Sequence, residues 1–257
     1  NTVLLIGNGT ALPYKGLPEG RSWSPDIKDI ERLKTMVPEL DKVSGLVSNW
    51  GLNAEYEGNV SSVTLKGVAA EYGEIESPKL KYGRYLSEAD VKQMRKNCVI
   101  GKRVYNELFP EGGDPCGKYI QIGSIAFRVI GVDYATGNMS INGPASQSAM
   151  IPVSVAQQIY GCGDEVNAIV LTGKPGVKMS SIEGRLRSIM ARQHQYDERD
   201  QSALLYLNTE QIFSIMDNLF RGINFLIWLV GIGTLLAGAI GVSNIMMVTV
   251  RERTTEI

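Results

Sequence analysis

Histidine is almost absent: the 257 residues hold one, His194. Cysteine is scarce too, with Cys98, Cys116 and Cys162 and no Cys-x-x-Cys pair. A structural zinc site takes about four sulfur or nitrogen ligands, so none is expected from so few, so scattered. A Ser–His–Asp constellation needs a histidine oriented by a third group, and none is marked out here. His194 stands in the polar run Arg192-Gln-His-Gln195 and reads as a surface histidine at a helix end. Gly-x-Ser-x-Gly, His-Glu-x-x-His and the P-loop are all missing. Gly7-Asn8-Gly9 lacks a third glycine and reads as a turn. No catalytic residue, metal site or bound cofactor is therefore expected in this chain. The cysteines read as small buried hydrophobes; one pair could form, and their odd number leaves a thiol free or paired between chains.

An excess of one charge is also missing. Twenty-six basic residues face 27 acidic ones, for a net charge of −1. That balance excludes the basic surface of a nucleic-acid binder. Arg185, Arg187, Arg192 and Arg199 stand among Glu183, Asp197, Glu198 and Asp200, so this region reads as a solvated face.

One long stretch is without charge altogether. The 29 residues between Arg221 and Arg251 hold no Asp, Glu, Lys or Arg. As a helix they would span about 43 Å, against a hydrocarbon core of about 30 Å, so a transmembrane helix is predicted. The mean hydropathy of −0.05 averages this stretch with an ordinary polar domain. Upstream, Asn208 with Gln211 three residues on reads as a helix cap. Ile212, Ile215, Leu219 and Ile223 then keep helical spacing across Arg221. A continuous helix over 209–250 would be a rod of about 63 Å, a lever without a hinge. Gly233, Ala237 and Gly241 recur every four residues, a spacing that admits a second helix closely. Asn224 and Asn244 offer polar contacts to such a neighbour. Arg251 and Arg253 place the far end in the cytoplasm by the positive-inside tendency, leaving residues 1–220 outside, periplasmic or extracellular. The start at Asn1 and the stop at Ile257, just past a membrane exit, read as a fragment of a longer chain.

The outer region alternates between the two regular periods. Val3-Leu4-Leu5-Ile6 reads as a strand. Ser24-Pro25-Asp26 opens a helix carrying Ile27, Ile30, Leu33 and Val37, which Pro38 ends. Val43 to Ala54 and Val60 to Val68 form a hairpin around Gly58-Asn59. Ser87 with Asp90 is a capping-box pattern. Val99-Ile-Gly101 is a strand and Lys102 to Phe109 a short helix, followed by a loop at 111–115. Tyr119–Ile122 and Ile125–Ile130 flank the two-residue turn Gly123-Ser124. Tyr134 to Ser148 reads as a loop. Ala149–Val153 is a strand, Ser154–Tyr160 a helix closed by Gly161, and Val166–Leu171 a strand. Ser181 caps a helix with Ile182, Leu186, Ile189 and Met190, and Ala203–Leu207 is the last strand. The order predicts an α+β fold: a split α/β sandwich with an inserted second small α+β subdomain, followed by a long C-terminal transmembrane helix. Residues 1–70 and 149–208 form the discontinuous first part, 71–148 the insertion, and 209–257 the stalk, membrane helix and start of a cytoplasmic segment.

Several of these residues carry a family likeness. Asn244-Ile-Met-Met-Val-Thr-Val-Arg-Glu-Arg-Thr-Thr-Glu-Ile257 resembles the end of the second membrane helix of MacB/FtsX-type ABC transporter permeases. Gly83-Arg-Tyr-Leu-Ser-Glu-Ala-Asp90, Leu108-Phe-Pro110, Gly113-Asp-Pro115, Gly117-Lys118 and Phe127-Arg-Val-Ile-Gly-Val132 resemble, in order, the MacB-like periplasmic core domain. The resemblance covers roughly residues 25–257. It implies a porter-like subdomain with an inserted second one, a permease of four membrane helices and a bacterial inner-membrane location. It further implies a second permease copy as partner and an ABC ATPase subunit or domain that binds the ATP. Arg251, Glu252, Arg253 and Glu256 would lie on the ATPase-coupling side. An efflux-type transporter that transmits ATP-driven motion outward, with a periplasmic adaptor and an outer-membrane channel, is the expectation. The alternative is an outer binding or signalling module of an FtsX-like or lipoprotein-releasing permease, docking a partner protein.

Overall fold

The structure, a computed structural model, describes residues 2–135 and 143–254. The chain divides into two compact units, the first ending at Thr209 and the second beginning at Glu210. The first unit opens with β1 (Thr2–Gly7), α1 (Ile27–Met36), β2 (Leu40–Tyr56), β3 (Asn59–Val68), α2 (Tyr72–Glu76) and β4 (Leu80–Gly83). It continues through α3 (Glu88–Lys92), β5 (Asn97–Gly101), α4 (Lys102–Leu108), β6 (Tyr119–Ile122) and β7 (Ile125–Asp133). A 3-10 turn, Ala145–Gln147, then leads into β8 (Ser148–Pro152), α5 (Val153–Tyr160), β9 (Ala168–Gly173), α6 (Met179–His194) and β10 (Leu204–Asn208).

The described strands join in one ten-stranded sheet, ordered β10-β1-β9-β2-β3-β8-β5-β7-β4, with β6 beside β2 and β7. The pairs β3/β8 and β5/β7 are parallel and the others antiparallel. Successive strand residues point to opposite faces, and here both faces are covered. Val3 and Leu5 of β1, Ile169 and Leu171 of β9, and Ala149 and Ile151 of β8 enter the larger core, with α1, α4, α5 and α6. Leu4, Ala168, Val170 and Met150 enter a smaller core with Tyr72 and Leu86. Two-sided burial explains why these strands read as unbroken apolar runs rather than alternating ones.

Several boundaries differ from the sequence reading for local reasons. The cap of α1 is Asp26, not Ser24: its carboxylate accepts from the Asp29 N–H at 2.8 Å, and Asp29 accepts from the Asp26 N–H at 2.9 Å. The hairpin turn is Glu57-Gly58, one residue early, since Tyr56 pairs with Asn59 and both turn residues have positive φ. Helix α6 starts at Met179, ahead of Ser181, whose hydroxyl donates to the Lys178 carbonyl at 2.7 Å. Of the predicted 134–148 loop, residues 136–142 lie outside the described residues, and 145–147 form the 3-10 turn.

His194 is not a surface residue. Its side chain is 14 % exposed, its Nε2 lies 2.7 Å from the fully buried Asp29 carboxylate, and its ring stacks on Trp23 at 4.2 Å. Trp23 also stacks on Tyr196 and donates its indole N–H to the Ala203 carbonyl at 2.9 Å. Burial pushes the Asp29 carboxyl up, but hydrogen bonds from His194 and the Asp26 N–H outweigh it and leave it below the usual carboxylate range. A depressed folded value means stability that is complete above the unfolded value, near 4, and lost as pH falls through the folded one. His194→Ala is expected to cost about 1–3 kcal/mol at pH 7, with Asp29 left short of a partner. Thermal melts of the detergent-solubilised chain check this; an unchanged midpoint would sink it.

Lys66 is a second buried polar surprise. It is fully buried on β3, and its ammonium donates to the Gly143 carbonyl at 3.2 Å and lies 3.7 Å from Glu76. Burial pushes its pKa down against the raising effect of the Glu76 carboxylate. In sequence it is one of several polar residues of β3, with Ser61, Ser62 and Thr64 before it, and nothing marks it as interior.

The second unit, from Glu210, is formed by helix α7, which spans Thr209–Thr254 and is 46 residues long. Within Thr209–Val248, an 18-residue stretch reaches a mean hydropathy of 2.2, with none of it buried. Leu219, Phe225, Trp228, Leu235 and Met246 are all exposed. A helix apolar all round needs an apolar surrounding, and this one exceeds the length that crosses a bilayer. The polar groups Ser214 and Thr234 bond back to carbonyls of their own helix, at 2.8 and 2.9 Å.

Candidate functional site: the paired ends, the apolar helix and a charged cavity

The outer unit begins and ends at one place. β1 lies between β10 and β9, in register Val3 with Asn208 and Val3 with Leu171. The antiparallel pairing sets the start of β1 beside the end of β10. The Thr209 hydroxyl donates to the Thr2 carbonyl at 2.6 Å and accepts from the Thr2 N–H at 3.2 Å, closing the pair. β10 ends at Asn208 and α7 begins at Thr209, with no connecting residue. Asn208, predicted as a helix cap, is the buried last residue of β10 and stands directly before the first residue of α7. The β1 ladder also reaches it, through the pair Val3–Asn208.

On α7, a Cβ built at Gly233 or Gly241 would meet nothing within 4 Å, so that face, with Ala237 between them, is open among the described residues. A shallow groove lies elsewhere on the same helix, lined by Thr234, Gly238 and Val242 among others, and includes none of the three. Arg251, Glu252 and Arg253 continue the helix, whose last described residue is Thr254; Glu256 lies outside the described residues. Asn224 and Asn244 are exposed on the helix.

A charged constellation that the sequence reading missed lies between residues 83 and 130. Asp90, its side chain fully buried, accepts from the Arg84 guanidinium at 2.6 and 3.1 Å. It also accepts from the Ser87 N–H at 2.9 Å, the Ser87 hydroxyl at 2.8 Å and the Asn97 amide at 2.8 Å. Arg95 stands 3.8 Å away. The Arg84 hydrogen bonds lead the causes that hold the Asp90 carboxyl far below the usual range, so it stays ionised. Behind it, Gly83 of β4 pairs with Gly131 of β7. The predicted box residue Asp90 is therefore in place, but it also organises two arginines, which only tertiary contact reveals. Beside it opens a cavity lined by Arg84, Arg95, Lys96, Arg128, Asn97, Cys116 and Tyr119. All three cysteines are free thiols; Cys98 is buried, and Cys116 and Cys162 are half-buried. Burial and the Asp114 carboxylate push the Cys116 thiol up to about 11, leaving it protonated at neutral pH.

With this geometry in hand, comparison with known proteins is specific. A family model for the MacB-like periplasmic core domain matches residues 2–189. The chain is 33 % identical over 181 residues to the pyoverdine export ATP-binding/permease protein PvdT of Pseudomonas entomophila, covering 68 % of the chain and 26 % of that protein. It is 26 % identical over 257 residues to the macrolide export ATP-binding/permease protein MacB of Nitrosomonas europaea, covering 96 % of the chain and 36 % of that protein. The chain thus spans well under half the length of these relatives. Among solved structures, the periplasmic region of MacB from Actinobacillus actinomycetemcomitans superposes with a TM-score of 0.65 at 20 % identity, over 85 % of this chain and 93 % of that one. The extracellular domain of the transporter YknZ from Gram-positive bacteria gives 0.65 at 18 % identity, over 81 % and 100 %. At such identities the likeness is one of fold.

Proposed function

The chain belongs to the family of MacB-like periplasmic core domains, and from that premise we propose that it is the outer domain and following membrane helix of an ABC transporter permease. It works in export, carrying ATP-driven motion along α7 to the outer unit. The observation that carries this reading is the shared exit at Thr2 and Thr209. Adjoining ends are what a domain needs to be set between two consecutive membrane helices. β10 passes directly into α7, with no residue between the two elements. In this reading residues 1–220 face the periplasm of a bacterial inner membrane, and Arg251, Glu252, Arg253 and Glu256 lie toward an ABC ATPase that binds the ATP. Gly233, Ala237 and Gly241 form the face against which a neighbouring helix, in a homodimeric permease, packs. Export names attach to the relatives, as pyoverdine and macrolide export proteins; for this chain they support an efflux-type role beside a periplasmic adaptor and an outer-membrane channel.

The test uses the full-length permease with its ATPase in lipid. A Gly-Gly-Ser insertion after Asn218 interrupts the helix, because glycine is a poor helix former by about 1 kcal/mol per residue. An Ala-Ala-Ala insertion at the same point shifts the helical phase equally but keeps the rod. Export is expected to fall at least about tenfold more with Gly-Gly-Ser than with Ala-Ala-Ala, while ATP hydrolysis persists in both. Equal export from the two insertions would overturn the lever.

A further inference from the structure

Four cations converge on one concavity of the outer unit. Arg84, Arg95, Lys96 and Arg128 line a cavity of about 570 Å³, and no acidic side chain lines it. In a chain whose 26 basic residues are balanced by 27 acidic ones, that is a strong local departure. One carboxylate, Asp90, stands behind the cavity, and two guanidiniums share it, Arg84 at 2.6 Å and Arg95 at 3.8 Å. Its acceptor capacity is further taken by Ser87 and Asn97. Lys96 and Arg128 make no ion pair among the described residues. Asp114 lies near the rim, but its carboxylate is bonded to the Cys116 N–H at 2.9 Å. Four cations against the Asp90 carboxylate leave an excess of about three positive charges, or about two with Asp114 at the rim included.

The arrangement is fixed from behind. The Arg128 N–H donates to the Lys96 carbonyl at 2.8 Å, and Asn97 of β5 pairs with Arg128 of β7 in the parallel ladder. Lys96 and Arg128 are thus held at one level on adjacent chain segments. Asp90 orients Arg84 through two parallel hydrogen bonds, the fork geometry that limits guanidinium motion. The volume lies in the range of small-ligand pockets, about 300–1,000 Å³. Guanidinium groups match the oxygens of phosphate in pairs, and a phosphate monoester carries about −1.5 to −2 at pH 7, closer to the cationic excess than one carboxylate.

We infer that this cavity is a binding site for a polyvalent oxyanion, a phosphate group either free or on an ester such as a lipid headgroup. Arg128 and Lys96 supply the uncompensated charge, Arg84 and Arg95 the oriented donors, and Asp90 is a positioning residue for them.

The test is calorimetric titration of the chain in nanodiscs of zwitterionic lipid, at a fixed sodium chloride concentration. Inorganic pyrophosphate and glycerol-3-phosphate are the probes. One saturable site per chain is expected, with a dissociation constant at or below about 1 mM for at least one probe. Arg128→Ala and Lys96→Ala are each expected to weaken binding about tenfold or more, the equivalent of one lost charge-assisted contact. Both side chains are exposed, and each variant's melting curve verifies its fold. Lys92→Ala serves as the charge control, since its ammonium pairs with Glu88 at 2.9 Å and does not line the cavity. It is expected to leave binding unchanged. Tighter binding of pyrophosphate identifies free phosphate as the ligand, and tighter binding of glycerol-3-phosphate a headgroup. Failure of both probes to saturate overturns the inference. So does a loss with Lys92→Ala equal to that with Arg128→Ala, which would mark diffuse charge rather than a site.

Discussion

Asp90→Ala is expected to destabilise the outer unit by about 2–4 kcal/mol, because it removes a fully buried acceptor shared by several donors. Asp90 is fully buried and receives hydrogen bonds from Arg84, Ser87 and Asn97. Truncation leaves the Ser87 N–H without its capping acceptor at the start of α3 and leaves the half-exposed guanidiniums of Arg84 and Arg95 without their common partner. For a unit of this size each kcal/mol moves the melting temperature by about 2–4 °C, so a fall of roughly 10 °C is expected. Asp90→Asn keeps the volume and one acceptor oxygen and is expected to lose less. The sign with pH follows from the depressed carboxyl. The contribution is complete above the unfolded value near 4 and disappears as pH falls toward the far lower folded value, so the wild-type advantage over Asp90→Ala shrinks in acid. Melts of the detergent-solubilised chain at pH 7 and pH 3 measure both effects. A loss below about 1 kcal/mol at pH 7 would mean that the cluster contributes no more than an exposed ion pair.

Gly83→Ala is expected to be as damaging, by a different route. Gly83 has φ of +68°, a conformation that costs an L side chain about 1–2 kcal/mol. An added Cβ would also stand 2.0 Å from the Ile130 carbonyl oxygen and 2.6 Å from the Cys116 sulfur. That carbonyl cannot retreat freely, since it accepts from the Arg84 N–H at 2.9 Å. Its ladder partner Gly131 is equally constrained, with a Cβ there falling 2.3 Å from the Arg84 carbonyl oxygen. Two facing glycines let β4 approach β7 here, so strain and overlap together predict a loss of more than about 3 kcal/mol. Gly184→Ala is the internal reference. It lies in α6 with nothing within 4 Å of the added carbon, and alanine there is expected to stabilise by up to about 1 kcal/mol. A neutral Gly83→Ala would show that β4 can part from β7 at little expense.

What the sequence discloses is governed by how local the cause is. The capping pattern at Ser87 and Asp90, the turn at Gly123-Ser124 and the left-handed close of α5 at Gly161 depend on neighbours a few residues away, and all three were legible. The apolar helix was legible because its signal repeats over dozens of residues. Helix α2 and strand β4 were not, being five and four residues long with no apolar run of their own. His194 misled because Arg192, Gln193 and Gln195 around it face water, while its own ring turns toward Asp29, 165 residues earlier. The charged cavity was hidden for a like reason: Arg84, the neighbours Arg95 and Lys96, and Arg128 lie in three separate stretches of the chain and meet only when β5 and β7 pair. The sheet order, with β1 between two late strands, leaves no mark in any local period.

That strand order also sets a schedule. Both ladder partners of Thr2–Gly7 lie at residues 168–208, so β1 waits for nearly the whole outer unit before either ladder can form. Such non-local pairing raises the contact order and slows folding, since chain closure precedes any reward from the contact. Synthesised from the N-terminus, Val3-Leu4-Leu5-Ile6 stays an unpaired apolar strand edge throughout that interval, the kind of segment that holdase chaperones cover.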